Sequence, residues 1–180
     1  MNNYTISTIK ANVIAIPLAI IEFILIVIPF YYFLGKELFL EGLKTPLLKI
    51  QYFLPILVFA GLLHELLHLT GFILFGKTGK NEVRLGFIPK YITPYAHCKV
   101  AISAKAYRIA LLLPFWLIGI TPVLLSYYYK SVWLNLFGLI FIIAAGGDLI
   151  VFWLIRKIPQ KTLLKDHPSE CGCTVESDLN

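Results

Sequence analysis

Charged side chains are scarce in this 180-residue sequence: Asp, Glu, Lys and Arg make up 14% of it, against about a quarter in an ordinary soluble protein. Apolar residues reach 58%. That balance leaves too little polar sequence to wrap a soluble core and excludes a soluble domain trailing a linker. Cysteine is scarce too, with three residues. The last two fall in a C-terminal segment expected to be cytoplasmic, which argues against structural disulfides. No basic stripe with interleaved aromatics stands outside the apolar stretches, so a net charge of +6 calls for no nucleic-acid partner. No sequence period marks a repeat array.

What the chain does have is long apolar runs, at about 11–34, 50–76, 106–129 and 131–155. Each can cross a hydrocarbon layer of about 30 Å at helical rise. Tyr31, Tyr32, Tyr127, Tyr128 and Tyr129 gather at run ends, where an interfacial aromatic belt belongs. The first run is too long for a signal-peptide core and no small-x-small cleavage site follows it, so it reads as a retained span. The expected fold is an all-α integral membrane protein of about four transmembrane helices. Residues 1–156 form the membrane domain, and 157–180 form a cytoplasmic tail whose prolines, mixed charge and small polar residues predict a poorly packed extension.

The cations are uneven. With the N-terminus, the 77–108 connection and the tail on one side, that side takes 12 of the 16 Lys and Arg, leaving Lys36, Lys44, Lys49 and Lys130 on the other. The positive-inside rule then makes both termini cytoplasmic in a multi-pass protein of the cell membrane, in contact with its lipids. Within the connection, Val83, Leu85 and Phe87 alternate with Arg84 and Gly86, which predicts a strand. Pro89 and Pro94 are expected to interrupt it, which suggests an edge ribbon or turn rather than a central strand. A short interfacial β-ribbon is therefore expected after the second helix, with an irregular amphipathic loop as the alternative.

Inside the second run stands His64-Glu65-Leu66-Leu67-His68. On a helix, residues four apart share a face, so the two imidazoles can grip one metal ion, with Glu65 beside its water. This is the H-E-x-x-H arrangement of zinc peptidases: zinc drops the pKa of its water and the glutamate accepts the proton. A charge at mid-bilayer costs about 2.5–3.5 kcal/mol, which makes such groups functional candidates. The bland alternative is a polar contact between helices. A catalytic zinc needs a third protein ligand. Outside the motif, Glu22 and Asp148 are the acidic residues of the runs. His68 precedes Lys77 by nine residues and Asp148 precedes Arg156 by eight, so both lie at matched depth, roughly 12–14 Å from one end. Glu22 is less well matched. Ala60 and Gly61 before the histidines, and Ala144 to Gly147 before the aspartate, predict close approach of the two helices.

HELLH in an apolar helix, with an intramembrane aspartate far downstream, resembles the site-2 class of intramembrane zinc proteases. Taken with YAHCK, AGGDL and DHPSECGC over about residues 60–173, it is similar to a family of small bacterial membrane proteins called putative zincin peptidases. The resemblance implies Zn2+ as cofactor, with His64, His68 and Asp148 as metal ligands and Glu65 as catalytic base. It implies hydrolysis of a peptide bond in or next to the membrane, in a membrane-protein or peptide substrate. It also implies that the 82–102 stretch presents an unwound substrate by pairing its edge with it. The alternative function is a non-catalytic metal-binding, transport or scaffold protein using the same residues. His97 and Cys98 in the ribbon can contact metal, steady an oxyanion or be structural. His167, Cys171 and Cys173 can bind a second metal or act in redox chemistry. Nothing in the sequence speaks to oligomeric state.

Overall fold

The computed structural model describes residues 3–88, 93–168 and 170–176. Its helices are α1 (Thr8–Leu34), α2 (Lys36–Gly42), α3 (Ile50–Gly76), α4 (Ala104–Pro114), α5 (Thr121–Tyr129), α6 (Val132–Ala144) and α7 (Gly146–Ile155). Its strands are β1 (Asn3–Ile6), β2 (Val83–Ile88), β3 (Thr93–Cys98), β4 (Ile102–Ser103), β5 (Leu163–Asp166) and β6 (Cys171–Val175). The fold is mostly helical rather than all-α, because four of these strands build a sheet that periodicity did not reveal.

Three helices are long and apolar enough to cross a membrane: Ile9–Leu34, Ile50–Gly76 and Ala104–Tyr129. The α6–α7 pair, bent by 47°, makes a fourth if it is counted as one span. This is the build of a multi-pass membrane protein. α1 is apolar all round, and in its most apolar window only 17% of residues are buried within the protein. Ile16, Ile20, Phe23 and Leu25 all point outward, as suits a helix whose solvent is lipid. The third span is continuous but not uniform. Pro122 lacks the N–H that an α-helix would use, and the turn before it, Phe115–Ile120, is widened to a π-helix. The Thr121 hydroxyl donates to the Trp116 carbonyl at 2.9 Å, occupying an acceptor in that turn.

Backbone closeness is bought at two glycines. A Cβ on Gly71 of α3 would lie 2.6 Å from Ala110 Cα, so α3 packs directly on the α4 backbone. A Cβ on Gly138 of α6 would lie 2.6 Å from the Gly119 carbonyl oxygen, letting α6 lie on the π turn. The small residues expected to join the metal-motif helix to the last span act otherwise. Gly61 and Gly147 have no neighbour within 4 Å of a built Cβ, and Gly146 faces Ala15 and Leu18 of α1. They leave room instead of closing it.

The expected ribbon is present. β2 and β3 pair antiparallel with Arg84 opposite His97 and Gly86 opposite Tyr95. Pro94 does not interrupt the ribbon: it sits within β3, opposite Phe87. Pro89 and Lys90 lie outside the described residues. The expectation of a poorly packed extension after residue 157 gives way. β5 and β6 are the inner strands of an antiparallel sheet ordered β1-β6-β5-β4. Leu164 and Cys173 are fully buried there, in one core with Phe72, Tyr107 and Ile155. Gly172, at φ +130°, is required, since a Cβ would meet the Tyr4 carbonyl oxygen at 2.2 Å. The sheet gathers the N-terminal strand, the segment after the ribbon and the C-terminal strands at one end of the bundle. Those are the three segments that the cation count placed together. Arg108, counted there as a loop cation, belongs to α4. Its guanidinium donates to the carbonyls of Ile155 (2.8 Å) and Ile158 at the end of α7, satisfying acceptors that a helix end leaves open.

These contacts separate two glycines of one helix. Gly71→Ala is expected to cost about 1–3 kcal/mol through overpacking against a backbone that cannot yield, read as a lower unfolding midpoint in detergent micelles. Gly61→Ala, ten residues away, is expected to leave the midpoint unchanged or raise it slightly, by helix propensity.

Candidate metal centre

α3 carries His64 and His68 one turn apart, both buried, with ring centroids 4.8 Å apart and planes at 75°. The contact at Gly71 brings the Ala110 carbonyl within reach of His68, whose Nδ1–H donates to it at 2.9 Å. That bond sets the tautomer, so Nε2 of His68 is left as a lone pair. The Nε2 atoms of His68 and His64 are 3.1 Å apart.

Asp148 comes from the first turn of α7, just past the 47° bend at Ala145. The bend turns its carboxylate inward, with Oδ2 at 3.2 Å from His64 Nε2 and 3.4 Å from His68 Nε2. Three donor atoms thus form a triangle with edges of 3.1, 3.2 and 3.4 Å. Nitrogen and oxygen ligands at about 2.0–2.1 Å on a tetrahedral zinc would stand roughly 3.3 Å apart. The donor set and its spacing fit one such ion. Among the described residues this is the one group of three or more His, Cys, Asp or Glu side chains close enough to hold a metal. Among the described residues the buried Nδ1 of His64 has no hydrogen-bond partner, so the ring's polar contacts are those of Nε2 with Asp148 and His68.

The triangle opens onto a cavity of about 630 Å3 that also meets Glu65, His97, Tyr107 and Asp166. Glu65 is half-buried, and the backbone N–H of Ala96 in β3 is turned to its carboxylate. The next outward N–H of β3, that of Cys98, donates to Asp166 Oδ2 at 2.6 Å. Pro94, two residues the other way, has none. The donors along the outer edge of β3 are therefore directed at two carboxylates of the site.

Asp166 is a site residue that the sequence reading missed. In a stretch of mixed charge it looks solvated, and nothing local signals that β5 folds back onto the ribbon. It is nearly buried: it accepts from the Tyr107 hydroxyl at 2.5 Å and lies 3.4 Å from His97 Nδ1. Burial raises its carboxyl above the ordinary carboxylate range, while the Cys98 N–H, Tyr107 hydroxyl and His97 pull the other way.

The remaining candidates separate cleanly. His97 lines the cavity, but Cys98 is fully buried and its thiol donates to the Val100 carbonyl at 3.3 Å. His167, Cys171 and Cys173 do not form a metal-holding group. The Glu170 N–H donates to His167 Nδ1 at 2.9 Å, Cys171 is exposed and Cys173 is buried. Glu22 is buried in α1 and is not part of the triangle, with Oε2 lacking a hydrogen-bond partner among the described residues. Burial pushes the Cys98 and Cys173 thiols up to about 11 and about 12, so both are protonated at neutral pH and disfavoured as thiolate ligands. Brief maleimide treatment of the native protein at neutral pH is therefore expected to add one label, lost in Cys171→Ser, whereas the denatured chain takes three. Intact-mass measurement checks this. Rapid labelling of Cys173 would mean that the C-terminal strands are not packed as described.

A model of the family described as "Putative zincin peptidase" matches residues 56–163, from α3 through the ribbon and α7 to the start of β5. Searches of curated proteins and of solved structures gave no significant match. The matched region covers more than half of the chain and holds His64, Glu65, His68, His97 and Asp148, and on that match the chain belongs to the family of putative zincin peptidases.

Proposed function

We propose that the protein is a membrane-embedded zinc metallopeptidase that cleaves a peptide bond in or next to the bilayer. The observation that carries the reading is the triangle of two imidazole nitrogens and a carboxylate oxygen beside Glu65, in a cavity reached from the sheet end of the bundle. His64, His68 and Asp148 would hold the ion and leave a fourth position for water or substrate. Zinc, when bound there, supplies Lewis acidity to a carbonyl and acidifies a water. Glu65 takes the proton from the attacking water as the new carbon–oxygen bond forms, and delivers it to the amide nitrogen as the carbon–nitrogen bond breaks. The Ala96 N–H of β3 faces that carboxylate.

The ribbon supports a refined view of substrate handling. Strand addition through N–H groups of β3 would require Glu65 and Asp166 to release them. The outward carbonyls of Pro94 and Ala96 are the acceptors of that edge, and an unwound peptide would donate its N–H groups to them. The cation count places the sheet end, and with it both termini and the site, on the cytoplasmic side. Partners are membrane lipids and a membrane-protein or peptide substrate.

Purified wild type is expected to hold about one zinc per chain by elemental analysis, His64→Ala to lose it, and Glu65→Gln to keep it. Peptide-end mapping of membrane proteomes is expected to show cleavage products with wild type that are absent with Glu65→Gln. Undiminished zinc in His64→Ala defeats the metal assignment. Identical peptide ends in the two strains defeat the peptidase assignment and favour metal binding without catalysis.

A further inference from the structure

The wall of the cavity facing the triangle carries a second set of chemistry-bearing groups. His97 projects from β3, Asp166 from β5 and Tyr107 from α4, three elements distant in sequence that meet at one point. Asp166 accepts from the Cys98 N–H at 2.6 Å and the Tyr107 hydroxyl at 2.5 Å. Those two bonds alone would staple the ribbon to the sheet, and a neutral acceptor in place of Asp166 could serve such a staple. A carboxylate is the costlier choice in a buried place, and it lies 3.4 Å from the Nδ1 of His97. That distance is loose for an N–H···O bond, but catalytic pairs without substrate are often loose. The His97 side chain is 30% exposed and Asp166 only 11%, so the carboxylate stands behind the ring and the ring fronts the cavity.

The geometry points to His97 as a second catalytic group of this site: oriented through Nδ1 by Asp166, it presents Nε2–H to the substrate carbonyl oxygen as negative charge develops there. The inference rests on the peptidase reading above. A carboxylate can only accept, so it selects the ring with hydrogen on Nδ1 and favours the imidazolium, in which both nitrogens donate. The carbonyl oxygen gains electron density as water adds to its carbon. The Nε2–H bond to it strengthens without proton transfer, and relaxes when the carbon–nitrogen bond breaks. Preformed donors aimed at a developing oxyanion are among the strongest contributions an enzyme makes. Asp166 acts through His97 and is a positioning residue. Cys98, next to His97, is buried and turned away, which leaves His97 as the ribbon's one imidazole at the cavity.

The test compares two probes on zinc-loaded protein in micelles by calorimetry. One is a dileucyl phosphinate peptide, whose anionic tetrahedral centre mimics the transition state. The other is the amide of the same sequence. Wild type is expected to prefer the phosphinate. His97→Ala is expected to lose roughly 10²-fold in phosphinate affinity, with amide affinity and zinc content within twofold of wild type. His97→Gln, which restores a donor, should recover part of the loss. Asp166→Asn should weaken the phosphinate selectively too, with protection of Cys98 and Cys173 from maleimide showing that it has folded. If wild type prefers the phosphinate and His97→Ala keeps that preference, His97 is structural and the inference is overturned. If wild type holds zinc but shows no preference, the peptidase reading falls and this inference falls with it.

Discussion

Two imidazole nitrogens and a carboxylate oxygen stand 3.1–3.4 Å apart within an apolar bundle, a crowding that only a metal ion or a shared proton between them relieves. The bundle is arranged to enforce that crowding. His68 cannot turn away, because its Nδ1–H is bonded to the Ala110 carbonyl. Ala110 cannot withdraw, because α4 lies against α3 at Gly71 without a side chain between them. Asp148 is aimed by the bend at Ala145. A site held this rigidly before its ion arrives avoids ordering costs on binding, and that is how a fold makes a metal site selective.

The sheet end of the molecule serves the same site from the opposite side. β1 and β6 tie the two terminal segments together, β5 brings Asp166 to the ribbon, and the ribbon brings Ala96 to Glu65. Each polar group of the wall is thereby fixed by another, which is the condition under which buried polar networks are tolerated. The helical end behaves differently. There the outward residues are apolar and little buried within the protein, the pattern of helices long and apolar enough to cross a membrane. The polar groups of the site are accordingly gathered at the sheet end and in the adjoining turns of α3, α4 and α7.

Much of this was legible in residue order. The four apolar runs match the three long helices and the bent α6–α7 pair. The alternation of Val83, Leu85 and Phe87 marks β2. Depth matching singled out Asp148 over Glu22, and the structure places Asp148 with the two histidines while Glu22 stays apart. The small residues were legible only as small. Whether a glycine closes an interface, as Gly71 does, or borders the site cavity, as Gly147 does, depends on what the other chain segment places opposite. The C-terminal strands were missed because β5 and β6 are short, polar on one side and stabilised by pairing with strands distant in the chain, β6 with Asn3–Ile6 and β5 with Ile102–Ser103.

By itself the sequence determined the number and length of the apolar runs and the pair of imidazoles on one helical face, because hydropathy and the 3.6-residue period are local properties. Tertiary structure alone decided which glycine closes an interface, which tautomer His68 adopts and that Asp166 stands behind His97. Those outcomes rest on contacts between segments far apart in the chain, and no local pattern encodes the distance between them.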